Sequence, residues 1–288
     1  MGHDAYELLD FGAGRKLERF GEVVLDRPSA AAESAAKARP KLWHEATARY
    51  ERTLGDEGVW RPAGVLPDNW TVSFADVGLT FRLQPSPFGH VGVFAEQRDN
   101  WAWIARQVSK AQAALRRPPK VLNLFAYTGG STLAAAAAGA EVVHIDAARN
   151  IVDRARENTA LSGLTERPIR WITEEAMKFC RRELKRGNQY DSVILDPPSY
   201  GHGPQGEAWK IGEDLLPLLS ICGKLTSESR AFVLVTCHSP GIGPAELSAY
   251  LSEGIFGDCA QPPASGELFL KVADGRKLPS GVFARWPK

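Results

Sequence analysis

KVLNLFAYTGGSTLAAAAAGAEVVHID, residues 120–146, is apolar at both ends and turns on a pair of glycines. KVLNLFAY reads as a buried strand, Gly129-Gly130 as a turn, STLAAAAAGA as a helix and EVVHID as a second strand. A strand, a helix and a strand in so short a span make one crossover unit, which sets the two strands parallel in one sheet. The pattern continues downstream. AARNIVDRARENTALSG (147–163) is helical and PIRWIT (168–173) a strand, and EEAMKFCRRELKRG (174–187) is a helix closed by Gly187. YDSVILD (190–196), WKIGEDLLPLLSICGKL (209–225) and RAFVLVTC (230–237) extend the alternation as strand, helix and strand. PAELSAYLSEGIF (244–256) is another helix, and ELFLKVA (267–273) and GVFARW (281–286) are strands. Such alternation demands an α/β fold with a doubly wound, mainly parallel sheet. The DGRKLPS link between the last two strands is too short for a helical crossover, so that pair is expected antiparallel.

Upstream the composition changes. Trp43, Trp60 and Trp70 are scattered among prolines, an Ala-rich stretch lies at 30–38, and WTVSFADVGLTFRLQ (70–84) reads as two strands turning at Asp76-Val77-Gly78. A small β-rich N-terminal domain is expected over 1–104, with substrate recognition as its role, and the α/β domain over 105–288. Pro118-Pro119 punctuates the chain just before the first strand of the sheet. At 288 residues, 44% hydrophobic and 24% charged, the composition is that of a soluble globular protein. No apolar stretch is long enough to span a bilayer and the N-terminus lacks a secretory pattern, which points to the cytoplasm. The formal net charge of +1 supplies no overall basic field for nucleic acid. The four cysteines form no Cys-x-x-Cys pair, against a zinc ribbon or a disulfide framework, and no metal is expected.

In an open parallel sheet, ligands bind beyond the carboxyl ends of the strands. The first strand–helix turn, NLFAYTGGS, lacks both the Gly-x-Gly-x-x-Gly of dinucleotide sites and the Lys-Ser/Thr ending of a phosphate loop. Asp146 ends the second strand, where a carboxylate can accept both hydroxyls of a ribose. A sugar without a cradled phosphate points to S-adenosylmethionine. Glu174-Glu175 follows the third strand, where a carboxylate can accept from an adenine amino group. Each feature has a plainer reading, turn chemistry for the glycines and helix capping for the acids.

The fourth strand ends in Asp196-Pro197-Pro198-Ser199-Tyr200. Two prolines fix φ and withhold two N–H donors, holding the loop in one shape at the same sheet edge. A rigid carboxylate there suits an exocyclic amino group as hydrogen-bond donor, and a planar substrate can lie against Pro198 or Tyr200. Without a ligand the same loop is only a rigid turn. Cys237 ends the fifth strand, about 4.8 Å from its neighbour, so Cys237 and Asp196 would flank one pocket. His238 follows at once and, by strand alternation, points to the opposite face, which argues against it as a base for that pocket. The plain alternative for Cys237 is a small buried hydrophobe. Cys180 and Cys222 fit apolar helix faces, and Cys259 carries no signal.

On these residues the chain resembles a class I S-adenosylmethionine-dependent methyltransferase, and more closely the bacterial 23S rRNA cytosine-5 methyltransferases. The resemblance covers about 90–288. It rests on GHVGVFAEQRDNW (89–101), NLFAYTGG (123–130), ARENTALSGL (155–164), DPPSYG (196–201), TCHS (236–239) and LPSGVFARW (278–286). LLDFGAGRKLERFG (8–21) departs from the RNA-binding module of those enzymes. The resemblance implies a seven-stranded, Rossmann-like methyltransferase sheet. It implies S-adenosylmethionine held by Phe125, Ala126, Tyr127, Thr128, Gly129, Asp146, Ala147, Glu175, Asp196, Pro197 and Gln97. Substrate would meet Pro198, Ser199 and Tyr200, with Cys237 and Asp196 catalytic. The implied partner is RNA, ribosomal by family, and the reaction is methylation at carbon 5 of a cytosine. A Cys237 thiolate adding to carbon 6 would activate carbon 5 for attack. Two alternatives stand: methylation of an amino group with Cys237 idle, and a non-catalytic S-adenosylmethionine-binding module.

Overall fold

The computed structural model describes residues 6–53, 57–202, 206, 208–258 and 262–288. Cys259 lies outside the described residues. The chain divides into two compact units, one of residues 1–96 and 269–280, the other of 97–268 and 281–288.

The first unit carries a five-stranded sheet. Strands β1 (Tyr6–Gly12), β2 (Arg15–Phe20), β3 (Val23–Pro28), β4 (Ala48–Arg52) and β5 (Gly58–Arg61) lie in that order, antiparallel except for β3 beside β4. The expected hairpin is present as β6 (Thr71–Phe74) and β7 (Leu79–Arg82). Buried charges tie this unit together: Arg27 pairs with Glu18 at 2.5 Å, and Arg276 donates to Asp10 at 2.6 Å. The Arg276 bond and a backbone bridge from Leu8 to Val272 tie the late segment 269–280 to the early strands.

The second unit opens with α1 (Arg98–Leu115), a helix absent from the sequence reading. Its buried Trp101, Ile104, Val108 and Ala111 recur every three or four residues. Arg116 ends it in the left-handed conformation, and two prolines follow. There follow β8 (Lys120–Leu124), α2 (Gly130–Ala137), β9 (Glu141–Asp146), α3 (Arg149–Leu161), β10 (Ile169–Thr173), α4 (Ala176–Lys185) and β11 (Ser192–Leu195). A small hairpin, β12 (Tyr200–His202) and β13 (Ala208–Lys210), precedes α5 (Ile211–Leu225), β14 (Phe232–Cys237) and α6 (Pro244–Leu251). A single π-helical turn, Ser252–Phe256, extends α6. Strands β15 (Ala264–Lys271) and β16 (Lys277–Trp286) close the chain.

The seven-stranded sheet runs β10-β9-β8-β11-β14-β16-β15. The first five strands are mutually parallel, and β16 joins β14 antiparallel. Every residue of β11 and β14 is buried, as expected of central strands covered on both faces. The order steps outward from β8 to β10, then restarts at β11 on the other side of β8. The reversal therefore lies between β8 and β11, and the crevice beyond their carboxyl ends is where this architecture binds ligands. At the opposite ends of these strands, Asp191 accepts from Arg117, Ser229 and the Lys120 amide. Core packing from α4, α5, α6, β11 and β14 buries Cys180 and Cys222 completely. The expected helix from Trp209 instead starts at Ile211, because Trp209 and Lys210 pair with Gly201 and Tyr200.

Candidate active site

Three loops meet the crevice. The first follows β8. Phe125 and Tyr127 take positive φ despite carrying side chains, and Gly129 sits at φ 94° as the N-cap of α2. Positive φ at two non-glycine residues of one loop stores backbone strain, a feature that clusters at ligand sites. A side chain at Gly129 would meet Leu133 Cδ1 at 2.9 Å and Ala155 Cβ at 3.2 Å, so only glycine closes the loop onto α2 and α3. Asn158 on α3 donates 2.9 Å to the Thr128 carbonyl and holds the loop from behind. Beneath it runs a buried chain, Asn123 Nδ2 to Thr132 Oγ1 at 2.8 Å and Thr132 Oγ1 to His144 Nδ1 at 2.9 Å.

The second loop follows β9. Asp146 accepts from the Tyr127 amide at 2.9 Å and from the Ala148 amide at 3.0 Å, tying the ends of β8 and β9 together. Burial pushes its carboxyl above the usual range, against the pull of those amides. Ala147, between them, is half-buried. After β10, Glu175 gives both carboxylate oxygens to the start of α4, accepting from the Met177 and Lys178 amides at 2.8 and 2.7 Å. Glu174 is paired with Arg182 at 2.6 Å. The acid read as an adenine acceptor is thus first of all a helix cap.

The third loop follows β11. Asp196 Oδ1 accepts from Thr236 Oγ1 at 2.6 Å, and Oδ2 accepts from Gln97 Nε2 at 3.3 Å. Pro197 is buried, whereas Pro198, Ser199 and Tyr200 are exposed. Ser199 is tied to Ser239 Oγ at 2.6 Å, and the Pro198 carbonyl accepts from Trp209 Nε1 at 2.8 Å. Trp209 in turn packs on Phe125 with ring centroids 4.8 Å apart, joining the third loop to the first. The rigid loop foreseen from the two prolines is therefore also braced from outside.

Gln97, 6% exposed, precedes α1 and reaches Asp196 across 99 residues of sequence. Its orientation is set from behind, where Asn100 Nδ2 donates to Gln97 Oε1 at 2.6 Å and Arg285 on β16 holds Asn100 Oδ1. Cys237 is 1% exposed and packs into the core, its sulfur accepting from the Ser239 amide at 3.3 Å. His238 emerges on the other side. Its Nε2 lies 3.7 Å from Asp196 Oδ1 and 3.5 Å from Gln97 Nε2. Strand alternation does separate the two residues, and it is His238 that faces the Asp196 carboxylate. Thr236, Asn100 and Arg285 were not among the residues picked out, and His238 was named only to be set aside as pointing away from that pocket. TCHS and LPSGVFARW contain three of them, but nothing local says which way they point.

The arrangement fits the cofactor inferred from the chain. The glycine-closed loop offers backbone in place of a phosphate nest, and the Asp146 carboxyl stands at the strand end that ribose hydroxyls require. Among the described residues no group of three His, Cys, Asp or Glu side chains can hold a metal ion.

Comparison with known proteins agrees. The S-adenosylmethionine-dependent methyltransferase family profile matches residues 48–280. A crystal structure of a methyltransferase of that type from Agrobacterium tumefaciens superposes with TM-score 0.90 at 38% identity, covering 100% of this chain and 92% of that one. A Streptococcus mutans structure shares the fold at TM-score 0.74 and 16% identity, covering 98% and 74%. Ribosomal RNA large subunit methyltransferase I of Aeromonas hydrophila is 35% identical over 114 residues, 39% of this chain and 27% of the relative. Ribosomal RNA large subunit methyltransferase K/L of Shewanella baltica is 29% identical over 160 residues, 55% of this chain and 21% of the relative. The chain thus matches about a quarter of the length of these curated relatives. With a strained glycine loop, strand-end carboxylates and a matching profile over most of its length, this chain belongs to the S-adenosylmethionine-dependent methyltransferases.

Proposed function

We propose that the chain methylates a nucleobase of RNA, with large-subunit ribosomal RNA as its substrate class and the cytoplasm as its setting. The observation that carries the reading is Asp196, a carboxylate fixed by Thr236 and Gln97 at the sheet's reversal point and one-third exposed. Exposed Pro198 and Tyr200 beside it offer flat apolar surface on which a base can stack. The names of the partial relatives support RNA as the acceptor. The cofactor would be held by the 125–129 loop, Asp146 and Ala147, with Glu175, Pro197 and Gln97 around it, and it supplies an electrophilic methyl group. Asp196 would accept hydrogen bonds from the base and orient it. The N-terminal domain would contribute substrate recognition.

The geometry favours an amino nitrogen as the methyl acceptor. Asp196 is open to a donor, whereas Cys237 is buried at 1% exposure, the environment of an inert thiol rather than a reactive one. One observation favours transfer to carbon 5 of cytosine through a Cys237 adduct. The thiol bonds the amide of Ser239, whose hydroxyl holds Ser199, so it lies just beneath the Asp-Pro-Pro loop. The experiment is labelled methyl transfer to ribosomal RNA from a strain lacking the gene, followed by nucleoside analysis, with wild type and Cys237→Ala. The expected result is an N-methylated nucleoside, retained turnover in the variant and about 1 kcal/mol of lost stability. Loss of turnover, 5-methylcytosine, and a denaturant-resistant adduct with 5-fluorocytosine RNA would establish the carbon-5 route instead.

A further inference from the structure

We propose that His238 is the base that takes the proton released by methyl transfer, with Asp196 as its electrostatic partner. This rests on the reading of the crevice as a nucleobase methylation site. An amino group that attacks a methyl carbon forms a nitrogen–carbon bond as the sulfur–carbon bond breaks, and the nitrogen is left with one proton too many. That proton must go to a group within reach of the acceptor, or the product stays charged against its ring. Asp196, Gln97 and His238 present their polar atoms to one point: Nε2 of His238 is 3.7 Å from Asp196 Oδ1 and 3.5 Å from Gln97 Nε2. A base hydrogen-bonded to Asp196 would place its amino nitrogen beside that imidazole. His238 Nε2 takes the proton, the product leaves neutral, and the imidazolium faces the Asp196 carboxylate. Carbon-5 transfer would leave a ring proton for the same acceptor.

Three features show that the imidazole is placed rather than incidental. Its ring rests directly on Gly281 of β16, where an added Cβ would lie 2.7 Å from Nδ1 and 3.0 Å from the Cys237 carbonyl oxygen. Gly281 takes φ 111°, a conformation that side chains rarely adopt. The Gln97 amide is locked by Asn100, whose Nδ2 occupies the Gln97 oxygen, so Gln97 must present its N–H groups to both Asp196 and His238. With the ring proton on Nδ1, Nε2 can accept that N–H and is the nitrogen that would take the substrate's proton. His238 is 37% exposed, open to a substrate as Cys237 is not. From the packed elements, the ring faces Asp196 after β11, Gln97 before α1 and Gly281 on β16. The Arg285 guanidinium stands one residue further off, behind Asn100, with its pKa brought down to about 10 by burial.

The test has two readouts. With ribosomal RNA from a gene-deleted strain, wild-type kcat should fall tenfold per pH unit on the acid side, because only neutral imidazole accepts a proton. His238→Gln should lose that limb and about 100-fold in kcat, with KM for the cofactor changed less than threefold. Without any RNA, the His238 ring resonances are recorded in the free protein, in wild type and in Asp196→Asn. Removing a carboxylate 3.7 Å from Nε2 should move them. A His238→Gln enzyme that keeps wild-type kcat and its acid limb overturns the proposal, as do ring resonances unmoved in Asp196→Asn. Wild type that methylates no RNA sinks the RNA reading alone, since the ring resonances still decide whether His238 and Asp196 act as a pair.

Discussion

The Asp146 carboxyl accepts two backbone amides at the mouth of the crevice, yet burial holds its pKa above the usual aspartate value. A ribose donates its hydroxyls to the ionised form, so protons compete with the cofactor. S-adenosylhomocysteine affinity should therefore fall on acidification at a pH above the ordinary carboxylate range. Asp146→Ala should weaken binding by about 1.5–3 kcal/mol, the scale of hydrogen bonds to a charged group. Calorimetry on the folded variant is the check, and an unchanged affinity removes Asp146 from the site. At this scale Asp146 and Asp196 were legible because each ends an apolar run, a signal carried by neighbours in the chain. The partners of Asp196 were not, since Gln97 and Thr236 lie 99 and 40 residues away.

At the scale of elements, α4 shows how one acid can be read two ways. Glu175 takes the N-cap position with extended backbone and satisfies two amides that the helix cannot bond internally. Glu175→Ala should cost about 0.5–2 kcal/mol of stability, and Glu175→Asp should keep most of it. Urea unfolding measures both, and a neutral alanine variant would show the cap to be idle. Most helices and strands of the sheet followed from periodicity. Helix α1 did not, although Trp101, Ile104, Val108 and Ala111 carry a helical stripe along it. The start of α5 moved by two residues because pairing in β12–β13 overrode helix propensity at Trp209 and Lys210.

The whole molecule should lose stability in acid in two stages. His144 is buried on β9, its ring against Trp171, and burial with nearby Arg156 lowers its pKa to about 3. The unfolded chain takes up that proton near pH 6.5 while the fold refuses it. The stabilisation from neutral His144 is therefore whole above about pH 6.5 and drains away down to about pH 3, at up to ~1.4 kcal/mol per unit. Asp191 and Glu183 act lower. Burial opposes their charge, but Arg117 and Ser229 for the first, and Tyr190 and Asn188 for the second, hold both pKa values down. Their contribution is present above the unfolded carboxylate pKa and lost as pH falls through the folded one. Unfolding free energy measured between pH 7 and 5 should fall in wild type and run flatter in His144→Asn. Equal slopes would mean that His144 does not refuse the proton. No helix among the described residues is long and apolar enough to cross a membrane.

What the residues determined on their own was local: alternating strands and helices, an α/β sheet with strands buried on both faces, acids at the strand ends, and a loop stiffened by two prolines. Each is written within a few neighbouring residues, where side-chain period and backbone restriction act directly. The tertiary structure decided what depends on distant chain segments. It placed Gln97 on Asp196, drew 269–280 into the early unit, built the five-stranded sheet from short irregular segments, and gave Glu175 to a helix cap. It also buried Cys237 and left His238 beside Asp196. Alternation says only that adjacent side chains part; packing in the core buries Cys237, and the end of β14 leaves His238 partly exposed beside Asp196.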